Sequence, residues 1–137
     1  MSVLLFLTLL CSQLAFAGAD YAREKKWADE ITPGIVVGDA IFLEQKNKHK
    51  FLGIYTETAN AKGGLVVVHG LGIHPDWGMV GTLRSQLAEQ GYTTLSIQMP
   101  VLAVDAKAED YSPTLPEAGE RLQLGVDYLK RKGYKKI

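Results

Sequence analysis

The sequence predicts an α/β fold, with parallel strands joined through helices and an antiparallel hairpin at one edge of the sheet. Three observations predict it. Leu65-Val66-Val67-Val68 is an uninterrupted apolar run bounded by Gly63-Gly64 and Gly70, the pattern of a strand buried on both faces. Two strand-like runs, each followed by a helical period, succeed one another from residue 64 onward, as in a parallel sheet. Upstream, two loosely alternating segments flank a polar turn, as antiparallel partners do.

At the N-terminus, Val3 to Leu10 is almost wholly apolar and Ala15-Phe16-Ala17 has the small-x-small form of a cleavage site. Residues 1–17 therefore read as a secretory signal peptide. The apolar stretch is too short for a bilayer core of about 30 Å, which takes roughly 20 residues. Cys11, the single cysteine, lies inside it behind Leu10, a residue too large for a lipidation site. The mature chain is then expected to carry no disulfide, no thiol nucleophile and no cysteine metal site. Export without disulfides points to a bacterial periplasm, with no stable membrane span after cleavage.

Residues 18–34 form an N-terminal helix, with Tyr21, Trp27 and Ile31 near one face and Pro33-Gly34 ending it. The α/β domain follows over 35–137. Ile35 to Glu44 and Lys50 to Thr56 are the hairpin strands, and the turn between them includes His49, read as solvated. Thr58 to Gly64 is a loop leading into the central apolar strand. After the His69-Gly70-Leu71-Gly72 turn, Trp77 to Gln90 is helical. Asp76 is placed to cap it, Gly91 to close it, and Trp77, Val80, Leu83 and Leu87 to face inward. Thr93 to Met99 reads as a second parallel strand stopped by Pro100, and Val101 to Pro116 as a loop. A last helix runs from Pro116 to Lys132, with Leu122, Val126 and Leu129 (and Leu115 just before) toward the sheet. Tyr134 to Ile137 reads as the start of a third parallel strand, so the domain is expected to be incomplete.

Composition excludes some classes of function. At 47% hydrophobic residues the chain is not disordered. Fifteen basic and fifteen acidic residues cancel, which gives no footprint for nucleic acid or an anionic membrane. No cofactor is implied, and no third ligand is suggested that would make His74 part of a metal site.

The segment from Val68 through His69-Gly70-Leu71-Gly72-Ile73-His74-Pro75-Asp76 to Trp77, with Gly91-Tyr92 and Met99-Pro100 beyond it, resembles the N-terminal half of the α/β-hydrolase fold. It is most similar to exported bacterial α/β-hydrolase-like proteins of unknown function (DUF3530-like). The resemblance implies an antiparallel edge hairpin followed by parallel βαβ strands. It also implies a serine hydrolase acting on the acyl group of a small ester or amide. The Leu71 backbone N–H would serve in the oxyanion hole, with Gly70 and Gly72 keeping side chains out of its way and His69 supporting the turn. Preorganised donors of this kind contribute on the order of 3–4 kcal/mol each. His74 and Trp77 are candidates for the substrate cleft, although a loop histidine bonded to Asp76 and a core tryptophan are the plainer readings.

The nucleophile should stand on a Gly-x-Ser-x-Gly elbow after the next strand. Ser85, Ser96 and Ser112 are not flanked by glycines, so nucleophile, acid and histidine are expected beyond Ile137. The residues up to that point are predicted inactive alone. Asp105, Glu109 and Asp110 read as a solvated acidic loop. A non-catalytic periplasmic binding or cell-envelope interaction protein on the same scaffold is the alternative. A phosphate-binding domain is the third reading, but Gly-x-Gly-x-x-Gly and Gly-x-x-x-x-Gly-Lys-[Ser/Thr] are both absent.

Overall fold

Asp20 starts the first helix, α1 (Tyr21–Ile31), by accepting the Arg23 N–H on its carboxylate at 3.0 Å. The computed structural model describes residues 18–137; the predicted signal peptide and Cys11 lie outside them. A 3-10 turn at Thr32–Gly34 ends α1 as Pro33-Gly34 predicted. The first strand, β1 (Asp39–Glu44), is shorter than the expected Ile35–Glu44. Gly38, at φ +89°, turns the chain so tightly against Tyr55 and Thr56 that pairing begins only after it. The second, β2 (Lys50–Thr56), has the predicted bounds and pairs antiparallel with β1, Leu43 opposite Phe51.

The third strand, β3 (Gly64–Val68), leads through the His-Gly turn to α2 (Gly78–Glu89) and β4 (Thr93–Ile97). A 3-10 helix at Ala108–Thr114 occupies part of the expected 101–116 loop, and α3 (Leu115–Arg131) follows. The sheet is open and mixed, in the order β1-β2-β4-β3. β4 is antiparallel to β2 and parallel to β3.

The topology corrects one expectation. β3 is an edge strand in this sheet, with Leu65 and Val66 half-buried and Val68 45% exposed. The strand buried on both faces is β4, every residue of which is inaccessible, because it lies between β2 and β3 with helices on both sides. Toward α2, Thr94 Oγ1 donates to Arg84 O at 3.1 Å and Ser96 Oγ to Pro75 O at 2.8 Å. Satisfied hydroxyls cost little in a core. Toward α3, Leu95 and Ile97 pack with Phe51, Tyr55 and Leu129. Ile54 lies opposite Ser96, so α1, packed through Ala28 on Leu52 and Ile54, shares the α2 side.

Both sheet-packing helices turn differently from their apolar period. In α2 the buried residues are Val80 and Arg84, while Leu83 and Trp77 are exposed. In α3 they are Arg121, Gly125 and Leu129, and Leu122 and Leu115 face out. Paired arginines define the inner faces, and an apolar count treats them as surface. Asp76 is not the cap of α2; Trp77 is, without a side-chain bond. The Asp76 carboxylate instead takes Arg84 Nε and Nη2 at 2.9 and 2.7 Å. Tyr134 to Ile137 forms no strand pairing, although Gly64 N–H donates to Lys136 O at 2.9 Å.

Candidate functional site: the turn after β3

The chain leaves β3 at the carboxyl end of a parallel pair, where open α/β sheets place ligands. His69 is the first residue of the turn and is 7% exposed. Its Nδ1 lies 2.8 Å from Gly70 O and its Nε2 accepts the Met99 N–H at 2.9 Å. This pattern fixes the neutral tautomer with the proton on Nδ1. Burial pushes the imidazole down to about 4, against the pull of the Gly70 carbonyl. A neutral ring with both nitrogens engaged cannot serve as a general base at pH 7. It ties the turn to the end of β4.

Leu71 stands at the tip with its side chain 57% exposed. Among the described residues its backbone N–H has no acceptor. Gly72 follows at φ +71°, a left-handed conformation that disfavours any Cβ. At Gly70 an added Cβ would meet nothing within 4 Å, so the fold does not demand glycine there.

Two residues not singled out in the sequence complete the support. Arg23 of α1 donates to Leu102 O at 2.6 Å and to Gly72 O at 3.3 Å, with its guanidinium 4.4 Å above the Trp27 ring. The Tyr111 hydroxyl, beside Gly72, accepts the Leu102 N–H at 3.1 Å. Nothing in local spacing joins Arg23 to a turn 49 positions away; only the packing of α1 does.

The turn borders a cavity of about 450 Å³, lined by His69, Gly70, Leu71, Met99, Pro100 and residues of the 3-10 helix and α3. His74 and Trp77 are not in this wall. They form an aromatic group with Trp27, edge to face at 5.5 and 5.4 Å from the His74 ring. His74 Nδ1 accepts the Asp76 N–H at 3.3 Å, and burial lowers its pKa against the opposing pull of Asp76. Trp77 is exposed rather than core.

Of the serines, Ser96 is buried and bonded to Pro75, and Ser85 bonds Gly81 within α2. Ser112 lines the cavity, but no histidine or carboxylate bonds its hydroxyl among the described residues. Asp110 caps the Lys107 N–H at 2.8 Å, while Glu109 reaches the cavity wall. The described residues contain no metal-binding group of three or more histidines, cysteines or carboxylates.

His49 is not the solvated turn residue expected. Its Nε2 lies 3.0 Å from the buried Glu24 carboxylate, and its ring stacks on Tyr21 at 3.6 Å. Glu24 also meets Arg121, fully buried, at 3.0 Å. Burial raises the Glu24 pKa, with Arg121 and His49 opposing it. Arg121 further bonds Gln45, Gln98 O and Glu117, so this network clamps α1 and α3 to the hairpin.

Fold and site together define an open mixed α/β protein with a glycine-rich histidine turn at the carboxyl end of a parallel strand. Residues 36–120 match the family described as Protein of unknown function (DUF3530), and the chain belongs to that family. No curated protein matches the chain. Among the described residues no helix is long and apolar enough to cross a membrane.

Proposed function

We propose that the turn after β3 is one half of the oxyanion site of an exported serine hydrolase of α/β-hydrolase type, acting on esters or amides in the bacterial periplasm. The observation that carries this reading is the Leu71 N–H. It has no acceptor among the described residues, it belongs to a residue that lines a largely apolar cavity, and it sits in the loop between β3 and the next helix. That loop supplies an oxyanion donor in α/β-hydrolases, the other coming from the residue after the nucleophile.

In acyl transfer a serine Oγ attacks the carbonyl carbon as its proton passes to the catalytic histidine, the carbonyl oxygen becomes an anion, and collapse expels the alcohol or amine, which takes that proton. Leu71 N–H donates to that oxygen, and Arg23 and His69 hold the turn that carries it. This reading requires a serine nucleophile on an elbow flanked by small residues, with an acid and a histidine, and the described residues do not supply that set. One observation favours the alternative of a non-catalytic binding protein: no serine among the described residues is paired with a base. A fluorophosphonate label applied to the full-length protein separates the two. The hydrolase reading expects one labelled serine outside residues 18–137; no labelled serine together with no ester turnover overturns it in favour of binding.

A further inference from the structure

We infer that the cavity beside Leu71 holds the uncharged aliphatic acyl chain of the substrate. The inference rests on the reading of Leu71 N–H as the acyl-oxygen donor, and it names what that donor's substrate carries. A volume of about 450 Å³ lies within the range of small-molecule sites. The wall is built chiefly of Leu71, Met99, Pro100, Ala108, Leu115 and Ala118.

Its polar groups are mostly spoken for. Both His69 nitrogens are engaged, Thr114 Oγ1 is bound to Tyr111 O at 2.7 Å, and the Tyr111 hydroxyl holds Leu102 N–H. Among the described residues no lysine or arginine lines the cavity, and the one carboxylate is Glu109. An anionic ligand would therefore lose its hydration and meet a like charge. A hydrocarbon chain gives up no hydrogen bond on entering and gains by leaving water.

The placement of the donor points the same way. A smaller cavity of about 280 Å³ shares Leu71, Ala108 and Tyr111 with the first and includes Arg23. Leu71 thus stands on the partition between two spaces. A tetrahedral acyl centre needs room on both sides of its oxygen, one for the acyl chain and one for the leaving group. The larger space, without a cation, takes the chain. Leu71 and Leu115, 57% and 66% exposed, add large apolar side chains to the lining.

The neutral fluorophore N-phenyl-1-naphthylamine tests the inference on the full-length protein. It should bind, be displaced by methyl decanoate, and be displaced at least tenfold more weakly by decanoate ion or inorganic phosphate. Ala118→Trp fills the cavity. Leu115→Glu charges its mouth, and because Leu115 is exposed at the first turn of α3, where an acid is favourable, the variant should fold. Each should weaken fluorophore binding about tenfold and lower kcat/KM for a decanoyl ester about tenfold relative to the acetyl ester. The inference is overturned if the fluorophore does not bind, if both folded variants bind it as the parent does, or if decanoate competes as well as its methyl ester. Fluorophore binding with no ester hydrolysis at all would sink the hydrolase reading instead, and acetyl-ester turnover without chain-length preference would sink only the acyl pocket.

Discussion

Replacing His69 with glutamine should remove a pH dependence of stability that the wild-type protein carries between pH 7 and 4. At neutral pH the histidine is uncharged, with Nδ1–H on Gly70 O and Nε2 accepting from Met99. A glutamine side chain in its place can keep only part of this, at a cost of about 1–3 kcal/mol for a buried group left unpaired. The folded pKa is about 4 against 6.5 for the free side chain. A depressed pKa means that the unfolded chain takes up the proton first as acid is added. The stabilisation contributed by the neutral ring is therefore complete above pH 6.5 and lost as pH falls toward 4. At about 1.4 kcal/mol per pKa unit the loss comes to about 3 kcal/mol. Glu24, whose pKa is raised by burial, acts in the opposite sense, but it is present in both proteins and cancels in their difference. Urea unfolding of both proteins at half-unit steps of pH measures that difference. The wild-type advantage should shrink steadily below pH 6.5 and vanish or reverse near pH 4. An advantage that stays constant from pH 7 to 4, or grows with acid, would refute a buried neutral His69.

Gly72→Ala should cost about 1–2 kcal/mol, the penalty of left-handed backbone for a residue with a Cβ, whereas Gly70→Ala should unfold within about 1 kcal/mol of wild type; thermal melts compare them directly. Arg121→Met should destabilise by about 3–5 kcal/mol in a denaturant titration because it strands the buried Glu24 carboxylate. Adding Glu24→Leu should recover much of that loss. A double-mutant cycle on Asp76 and Arg84 should give a coupling of about 1.5–3 kcal/mol, the range for charged hydrogen bonds. If Asp76→Ala costs the same with Arg84 absent, the carboxylate is acting elsewhere.

Local chemistry made much of the architecture legible. The β2 bounds, the parallel pair around α2, and the glycine ending α2 (Gly91, at positive φ) follow from turn residues and apolar runs. The turn as a chain reversal was also legible, because two glycines directly follow a β-branched run and Gly72 takes positive φ. The rest depended on contacts distant in sequence. Arg84 and Arg121 face inward because Asp76 and Glu24 meet them there, and a periodicity of apolar residues cannot anticipate such partners. The same blindness put His49 in solvent, when Glu24 and Tyr21 of α1 cover it. The apolar run of β3 suggested burial on both faces, but β4 holds that place, its Thr94 and Ser96 hydroxyls satisfied by Arg84 O and Pro75 O. Arg23 was invisible as a support of the turn for the same reason.

The Leu71 N–H carries the oxyanion assignment, and Leu71→Pro in the full-length protein tests it most directly. The substitution removes that donor without breaking a bond among the described residues, and the preceding Gly70 has no Cβ to clash with the proline ring. With the variant shown to be folded by its thermal melt, kcat for a simple ester should fall by about 10²–10³, the worth of one oxyanion donor. A folded variant that keeps its wild-type kcat would contradict the assignment.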